Sequence, residues 1–507
     1  MTERRVPETG SQAGRSLAEP QLLGTAPEQL RRSVFKSSSF QMAGRAFLAL
    51  SRLVIAALIV RAYGPERYGE YALVLVLTAV PEWIVDFGLN DIFSREICRE
   101  PQDRQRLLRT LTASKLIQVA AAYLGLVGLL LVMRYPPHVT RAALIAGAGL
   151  VFYGGILVYR SLFKATLTLE RDILAESVSL VVLIPLLWAA CLSQASLEVL
   201  ALCYVVSRAV FLALAVAMGR HSFRLAWSGI DWTQLRWGFR ESAAIGMAGF
   251  LVGVYEVVDM LVLSKLASAE QLGFYSAAQK LVWPTLTGFA VVGMTIFPVL
   301  SSAFGRHPER FRAYFQGGVD AVILLAAVSL SGLAGGADFL TGLLGPSMGP
   351  AAPVLRVLAL LCFVKAISST VGPVLYVTGA QRHALWITGV AALAKSAALL
   401  ALVPRYGAMG AAVASLVVEI VAGLIPNLLV VQHFARCRLR WTLLGKVVVA
   451  LAVSHGAIWL LGIAGSLPGS FVAAGLFTLL AVASGALRPR ELLARVTRPA
   501  IETAPAG

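Results

Sequence analysis

The sequence predicts an all-α integral membrane protein of about fourteen spanning helices in two halves. Three observations predict it. Apolar runs of membrane-spanning length recur from one end of the chain to the other, Lys and Arg gather in every second loop between them, and one turn motif occurs twice. The chain is 58% hydrophobic and 14% charged, with a mean hydropathy of +0.75, so its apolar surface far exceeds what one soluble core would bury.

A span needs about 20 apolar residues, and in lipid every backbone polar group must be bonded within the segment, which forces helices. Taken in order between turn and charge clusters, the runs are 33–61, 68–92, 111–133, 139–159, 172–193, 197–219, 239–264, 270–303, 317–340, 352–378, 384–404, 408–432, 441–463 and 468–487. The run 270–303 is long enough to tilt or kink, with Pro284 and Pro298 as the obvious places. Residues 1–30 are polar, contain Pro and Gly, and lack an apolar signal core, so they read as a disordered tail and not a cleaved signal.

The loops set the orientation. With the N-terminus inside, the inward loops hold Arg95, Arg99, Arg104, Arg106 and Arg109, then Arg160, Lys164 and Arg171, then Arg220, Arg224, Arg236 and Arg240. The same side continues with Arg306, Arg310, Arg312, Arg382, Arg436, Arg438, Arg440 and Lys446, whereas the outward loops hold only Arg61, Arg67, Arg134, Arg141, Lys265 and Arg405. This is the positive-inside pattern, and it places both termini in the cytoplasm. It also accounts for the net charge of +17, which is spread over many loops and does not form a nucleic-acid patch.

Several chemistries are excluded. The five cysteines form no CxxC pair and the six histidines stand singly, so no metal site, cofactor or disulfide framework is expected. No HExxH, GxSxG or Walker A pattern occurs. The outward loops are short, which disfavours a membrane polymerase or glycosyltransferase, whose acceptor site needs a sizeable outward loop.

The repeated motif is Glu66, Gly69 and Tyr71 in GPERYGEY against Glu270, Gly273 and Tyr275 in SAEQLGFY. The offset is about six spans, an even number, so the two halves enter from the same side and are related by an axis along the membrane normal.

The stretches YGPERYGEY, DFGLNDIFSREI, VDMLVLSKLASAEQLGFYSAAQKL with IFPVLSSAF, and PRYGAMGAAVASLVVE, in this order, resemble the polysaccharide-transport flippases of the superfamily that also holds multidrug and toxic compound exporters. The resemblance covers about residues 30–435. It implies two pseudo-symmetric six-helix lobes around a central cavity, with an N-lobe at 31–219, an inter-lobe loop at 220–238, a C-lobe at 239–433, two further helices at 434–487 and a tail at 488–507. It also implies a bacterial plasma-membrane protein that moves an isoprenoid pyrophosphate-linked oligosaccharide from the inner to the outer leaflet for cell-surface polysaccharide synthesis. Polymerase or ligase partners and coupling to H+ or Na+ go with that role. The alternatives are a drug/cation antiporter of the sister family and a polymerase or glycosyltransferase of the same pathway.

Charges inside spans are the candidate site, because each costs about 2.5–3.5 kcal/mol near a helix centre. Arg45 and Arg52 in RAFLALSR are seven residues apart on one face of the first helix, a ladder suited to pyrophosphate. The alternative is that Arg45 reaches the inner surface while Arg52 pairs with Asp86 or Glu256. Lys280, Lys365 and Lys395 would line the second lobe. Glu82, Asp86, Glu256, Asp259 and Glu419 are candidates for a coupling ion or for ion pairs. Asp259 and Lys280, at similar depth on consecutive helices, either pair with each other or face the cavity.

Overall fold

The computed structural model describes residues 27–223 and 230–486, and every regular element among them is helical. The tails at 1–26 and 487–507 and the inter-half residues 224–229 lie outside the described residues, so the disordered-tail reading is met only at 27–30, which continue the first helix. In chain order the helices are α1 (Pro27–Asp86), α2 (Leu89–Arg99), α3 (Arg104–Met133), α4 (Pro137–Ala148), α5 (Leu150–Ala165), α6 (Leu169–Leu192) and α7 (Leu197–Gly219). There follow α8 (Trp232–Leu266), α9 (Ala269–Ala303), α10 (Pro308–Gly335), α11 (Ala337–Leu344), α12 (Ala351–Val377) and α13 (Gln381–Val418). A π-helical turn (Glu419–Leu424), α14 (Ile425–Ala435), α15 (Trp441–Leu460) and α16 (Leu467–Ala483) complete the chain.

Ten helical stretches among the described residues are long and apolar enough to cross a membrane. The protein is therefore an all-α, many-span membrane protein. Its outer surface is greasy, as lipid requires: Leu124, Leu131, Val132 and Leu460 are all more than two-thirds exposed.

Two of the long stretches reverse at a glycine. Gly64 in YGPERYG has φ 81°, a left-handed conformation that a side chain would strain, and it divides α1 into two arms; Gly407 in PRYGAMG, with φ 53°, does the same to α13. The turn at Gly407 is tied down by Gln271 of α9, whose side-chain carbonyl accepts from the Ala408 amide at 3.0 Å.

The helix boundaries differ from the apolar runs where a break falls inside one. The run 68–92 ends at Asp86, because Phe87 and Gly88 take positive φ and start α2, whose Leu89, Ile92, Phe93 and Ile97 are buried. The run 139–159 is two helices separated at Gly149, and 317–340 is the end of α10 plus the short α11. The long run 270–303 is one helix, α9, continuous across Pro284 and Pro298. The connection expected at 220–238 is shorter, since α8 begins at Trp232, where Asp231 caps it by accepting from the Thr233 and Gln234 amides at 2.9 and 3.1 Å. Those amides and the Arg106 guanidinium of α3, which bonds the same carboxylate, hold the Asp231 carboxyl below its usual range.

Helix packing follows a non-sequential order. In the first half α1 packs on α6, α4 on α7 and α3 on α5; in the second, α8 packs on α13, and α9 and α10 both pack on α12, while α8 and α9 touch only lightly. The final pair α15 and α16 lies against α10, with Ser470 donating to the Gly332 carbonyl at 3.0 Å.

The halves meet at the repeated motif. A β-carbon on Gly69 would lie 2.0 Å from the Ala269 carbonyl oxygen, and one on Gly273 would lie 2.0 Å from the Pro65 carbonyl oxygen. Each glycine thus rests on the residue four positions before the other, the reciprocal relation that a two-fold contact requires. Only glycine lets two backbones approach this closely. At the same end of the bundle Tyr135 bonds Ser264 (2.8 Å), Lys265 lies 3.5 Å over the Tyr135 ring, and Arg61 donates to the Leu343 carbonyl (2.9 Å), all from one half to the other.

Candidate functional site

The apolar surroundings of a span leave a charge three ways to be stable: a partner of opposite sign, a hydrogen-bonding cage, or a wet cleft. The charges of this chain divide among all three.

In the second half, one turn of α8 presents Tyr255, Glu256 and Asp259 to α12 and α13. Lys365 Nζ of α12 sits 2.7 Å from Glu256 Oε1. Lys395 Nζ of α13 sits 3.3 Å from Asp259 Oδ2 and 2.8 Å from the Tyr255 carbonyl oxygen, with both groups of the ion pair 3% exposed. Tyr275 of α9 donates to the same Asp259 carboxylate. Both ammonium groups also lie over the Tyr255 ring, at 5.4 and 4.7 Å from its centre. The Tyr255 hydroxyl donates to Glu419 Oε2 at 2.6 Å, where the π-helical turn begins. The cleft beside this cluster holds about 30 Å³ and is lined by Glu256, Asp259, Gln279, Trp283, Lys365 and Lys395. That is room for water and far too little for a sugar. Lys365 and Lys395 are thus committed to carboxylates.

In the first half, Glu82 pairs with Arg208 of α7 at 2.8 Å and accepts from Tyr204 at 3.2 Å. Asp86, one turn on, accepts from Asn90 at 2.6 Å. The buried Lys115 of α3 caps this end of α1, donating to the Val85 and Asp86 carbonyls (2.6 and 3.3 Å) and to Gln118 (3.1 Å). So Glu82 and Asp86 share a helix but not a partner.

Between the halves stand Arg52 and Lys280. Arg52 is half exposed and pairs at 3.0 Å with Glu176 of α6, not with Asp86 or Glu256. Glu176 is shared: its other oxygen lies 3.7 Å from Arg160, which in turn holds Asp172 at 2.9 Å. Lys280, on α9, has no carboxylate partner among the described residues, and the charge near enough to act on it is that of Arg52. Arg45, one step below, is exposed and unpaired among the described residues. The alternative pairing of Asp259 with Lys280 is not what forms. Those residues match in depth, but α8 turns its charged face to α13, so Asp259 meets Lys395.

The structure thus leaves Arg52 and Lys280 on α1 and α9, two helices that pack on each other from opposite halves, and it holds Lys365 and Lys395 in ion pairs. Sequence reasoning missed Arg208 and Lys115, although each interrupts an apolar run as Lys280 does. It missed Glu176 and Asp172 because they sit near the head of α6, where acids are unremarked. Among the described residues no group of three metal-binding side chains comes together.

Comparison with known proteins bears on this arrangement. The family described as "Polysaccharide biosynthesis protein" matches residues 34–304, from α1 to the end of α9. Among solved structures, the lipid II flippase MurJ in an inward closed conformation superposes with a TM-score of 0.72 at 12% identity, covering 90% of this chain and 100% of that one. An inward-facing multidrug resistance MATE family transporter of the MOP superfamily gives 0.65 at 14% identity over 77% of this chain and 95% of that one. A MOP superfamily transporter from Pyrococcus furiosus gives 0.58 at 14% over 82% and 97%. At these identities the likeness is one of fold. No curated protein matches the sequence.

Proposed function

Because the chain belongs to the polysaccharide biosynthesis protein family, we propose that it is a flippase, moving an isoprenoid pyrophosphate-linked oligosaccharide from the inner to the outer leaflet by alternating access. The fold shared with the lipid II flippase over that protein's whole length supports this reading. The observation that carries it is the pair Arg52 and Lys280, two cations at the junction of the halves, one half exposed and the other without a carboxylate. A drug/cation antiporter would want its accessible charges negative, and here the acids are the groups already satisfied. We read fourteen spans with both termini inside. The counted stretches split at Gly64 and Gly407, and α9 and α16 complete the number. The glycine crossing then lies on the outer side, two lobes of six helices flank the cation pair, and α15 with α16 stand apart.

The test is reconstitution. Vesicles carrying the purified chain are expected to transfer a fluorescent isoprenoid-pyrophosphate oligosaccharide between leaflets, while protein-free vesicles do not. Equal rates in the two would refute the assignment.

Coupling falls to Glu419. Of the five intramembrane acids it is buried, at 5% exposed, and bonded only to a hydroxyl, whereas Glu82, Glu256 and Asp259 each hold a fixed cation and Asp86, less buried, is bonded to Asn90 at the end of its helix. It makes no ion pair of its own among the described residues, which leaves it the acid best placed to exchange a proton or a monovalent cation. Glu419→Gln is expected to leave passive transfer intact and remove its response to imposed H+ or Na+ gradients. An unchanged response would rule Glu419 out.

A further inference from the structure

We propose that Glu176 is a built-in counter-anion, a carboxylate that holds Arg52 while the site is empty and that the cargo's phosphate displaces. This rests on reading the chain as a carrier of a pyrophosphate-linked lipid.

Three observations carry it. First, Arg52 of α1 is held by Glu176 of α6 at 3.0 Å, while α9, which packs on α1, carries Lys280 with no carboxylate of its own among the described residues. Two like charges repel, and Glu176 neutralises only one of them. A phosphate placed between them would satisfy both, which Glu176 cannot do from its side.

Second, Glu176 is not stranded when Arg52 turns away. Its second oxygen already lies 3.7 Å from Arg160, and Arg160 is anchored by Asp172 at 2.9 Å. Losing the partner of a charge costs most when that charge is left alone, and Glu176 is only partly exposed. Here the carboxylate passes from one guanidinium to another, so the exchange avoids most of that penalty.

Third, Arg52 is 50% exposed and Glu176 23%, so an incoming anion can reach the pair without unpacking a helix. The guanidinium fork fits carboxylate and phosphate alike, which makes the two direct competitors.

The consequence is a cation site tuned to weak binding. With Glu176 present, cargo must displace a resident anion on arrival, and the same anion returns to drive it off on release. A carrier gains from this, since a head group held too tightly would not leave on the far side.

The experiment measures binding and transfer in the purified full chain in nanodiscs and vesicles. The probes are inorganic pyrophosphate and farnesyl pyrophosphate, which separate a free anion from a lipid head group. Glu176→Gln is expected to bind farnesyl pyrophosphate on the order of tenfold more tightly, the loss of one partly exposed charged competitor, and to transfer cargo more slowly. Inorganic pyrophosphate should tighten by a similar factor, because the tail's contribution is the same in wild type and variant and cancels; farnesyl pyrophosphate should bind more tightly than inorganic pyrophosphate in both, and equal affinities would mean that the site recognises the anion alone, and the lipid-head-group part of the proposal falls. Glu176→Asp withdraws the carboxylate by one methylene and should shift affinity the same way by a smaller factor, which keeps the test open if the Gln variant does not fold. Arg52→Ala separates the two readings. If it binds as the wild type does, the cation site itself is refuted. If it binds weakly while neither Glu176 variant tightens, the cation site stands and the counter-anion is overturned.

Discussion

Arg52→Ala is expected to reduce transfer of the lipid-linked oligosaccharide by about a hundredfold, the loss of a charge-assisted phosphate contact, with wild-type amounts of protein in the membrane. The stability side of the prediction follows from exposure and sharing. The Arg52–Glu176 pair is half open on the arginine side, so its contribution is that of an exposed pair, about 0–1 kcal/mol. Glu176 keeps Arg160 when Arg52 is gone. Transport is different, because Arg52 supplies the fork and Lys280 only a point charge. Arg52→Lys should recover part of the rate, since charge survives but the two-pronged contact does not. Arg45→Ala should cost less, as Arg45 is exposed and lies two turns of α1 away from the Arg52–Glu176 pair. Normal transfer by Arg52→Ala, or failure only through loss of the protein, would make Arg52 a structural ion-pair partner.

Gly273→Val should lower transport by a different route. The β-carbon it introduces falls 2.0 Å from the Pro65 carbonyl oxygen, a backbone atom that cannot rotate away. Overpacking a core that can adjust costs about 1–3 kcal/mol, and here the only adjustment is for α1 and α9 to part. The two halves would then remain separated at this crossing, with transfer lowered at least about tenfold. A membrane-impermeant thiol reagent should label Ser264→Cys, whose native hydroxyl bonds Tyr135 across the same seam, faster in the Gly273→Val background than in its absence. Gly69→Val should act alike, because the contact is reciprocal. Gly288→Val, on the same helix with open space around it, is the control. Unchanged labelling together with unchanged transport would mean that the crossing does not gate the outer side.

How much of this was legible in the sequence depends on which interactions are local. Helices and their number of apolar runs came from composition and length, and the reversals at Gly64 and Gly407 from the Gly-Pro and Pro-Arg-Tyr-Gly punctuation. The family resemblance rested on those same stretches and agrees with the match over residues 34–304. Arg52, Lys280 and the intramembrane acids announced themselves as charges in apolar runs. Their partners did not. Asp259 was compared with Lys280 because they lie on consecutive helices, yet α8 packs on α13 and α9 on α12, so these two consecutive helices barely face each other. Lys395, far along the chain, takes the place. Arg52 found Glu176 for the same reason, since α1 lies on α6. Partner choice is a property of helix adjacency, which period and depth along a single helix do not encode. The break at Phe87 and Gly88 was hidden differently: the apolar run continues through it, although the spacing of Leu89, Ile92, Phe93 and Ile97 already marked α2 as one-sided.

The glycine crossing also has a mechanical side. Where two backbones touch with no side chains between them, there are no knobs to lift out of holes, and one helix can roll on the other as on a fulcrum. Lys280 lies seven residues along α9 from Gly273, a lever arm of about 10 Å. A roll of about 20° at the fulcrum swings that ammonium through roughly 4 Å, the difference between touching and missing a phosphate held by Arg52. Opening the seam and loosening the grip on the head group would then be one motion, driven from the same pivot.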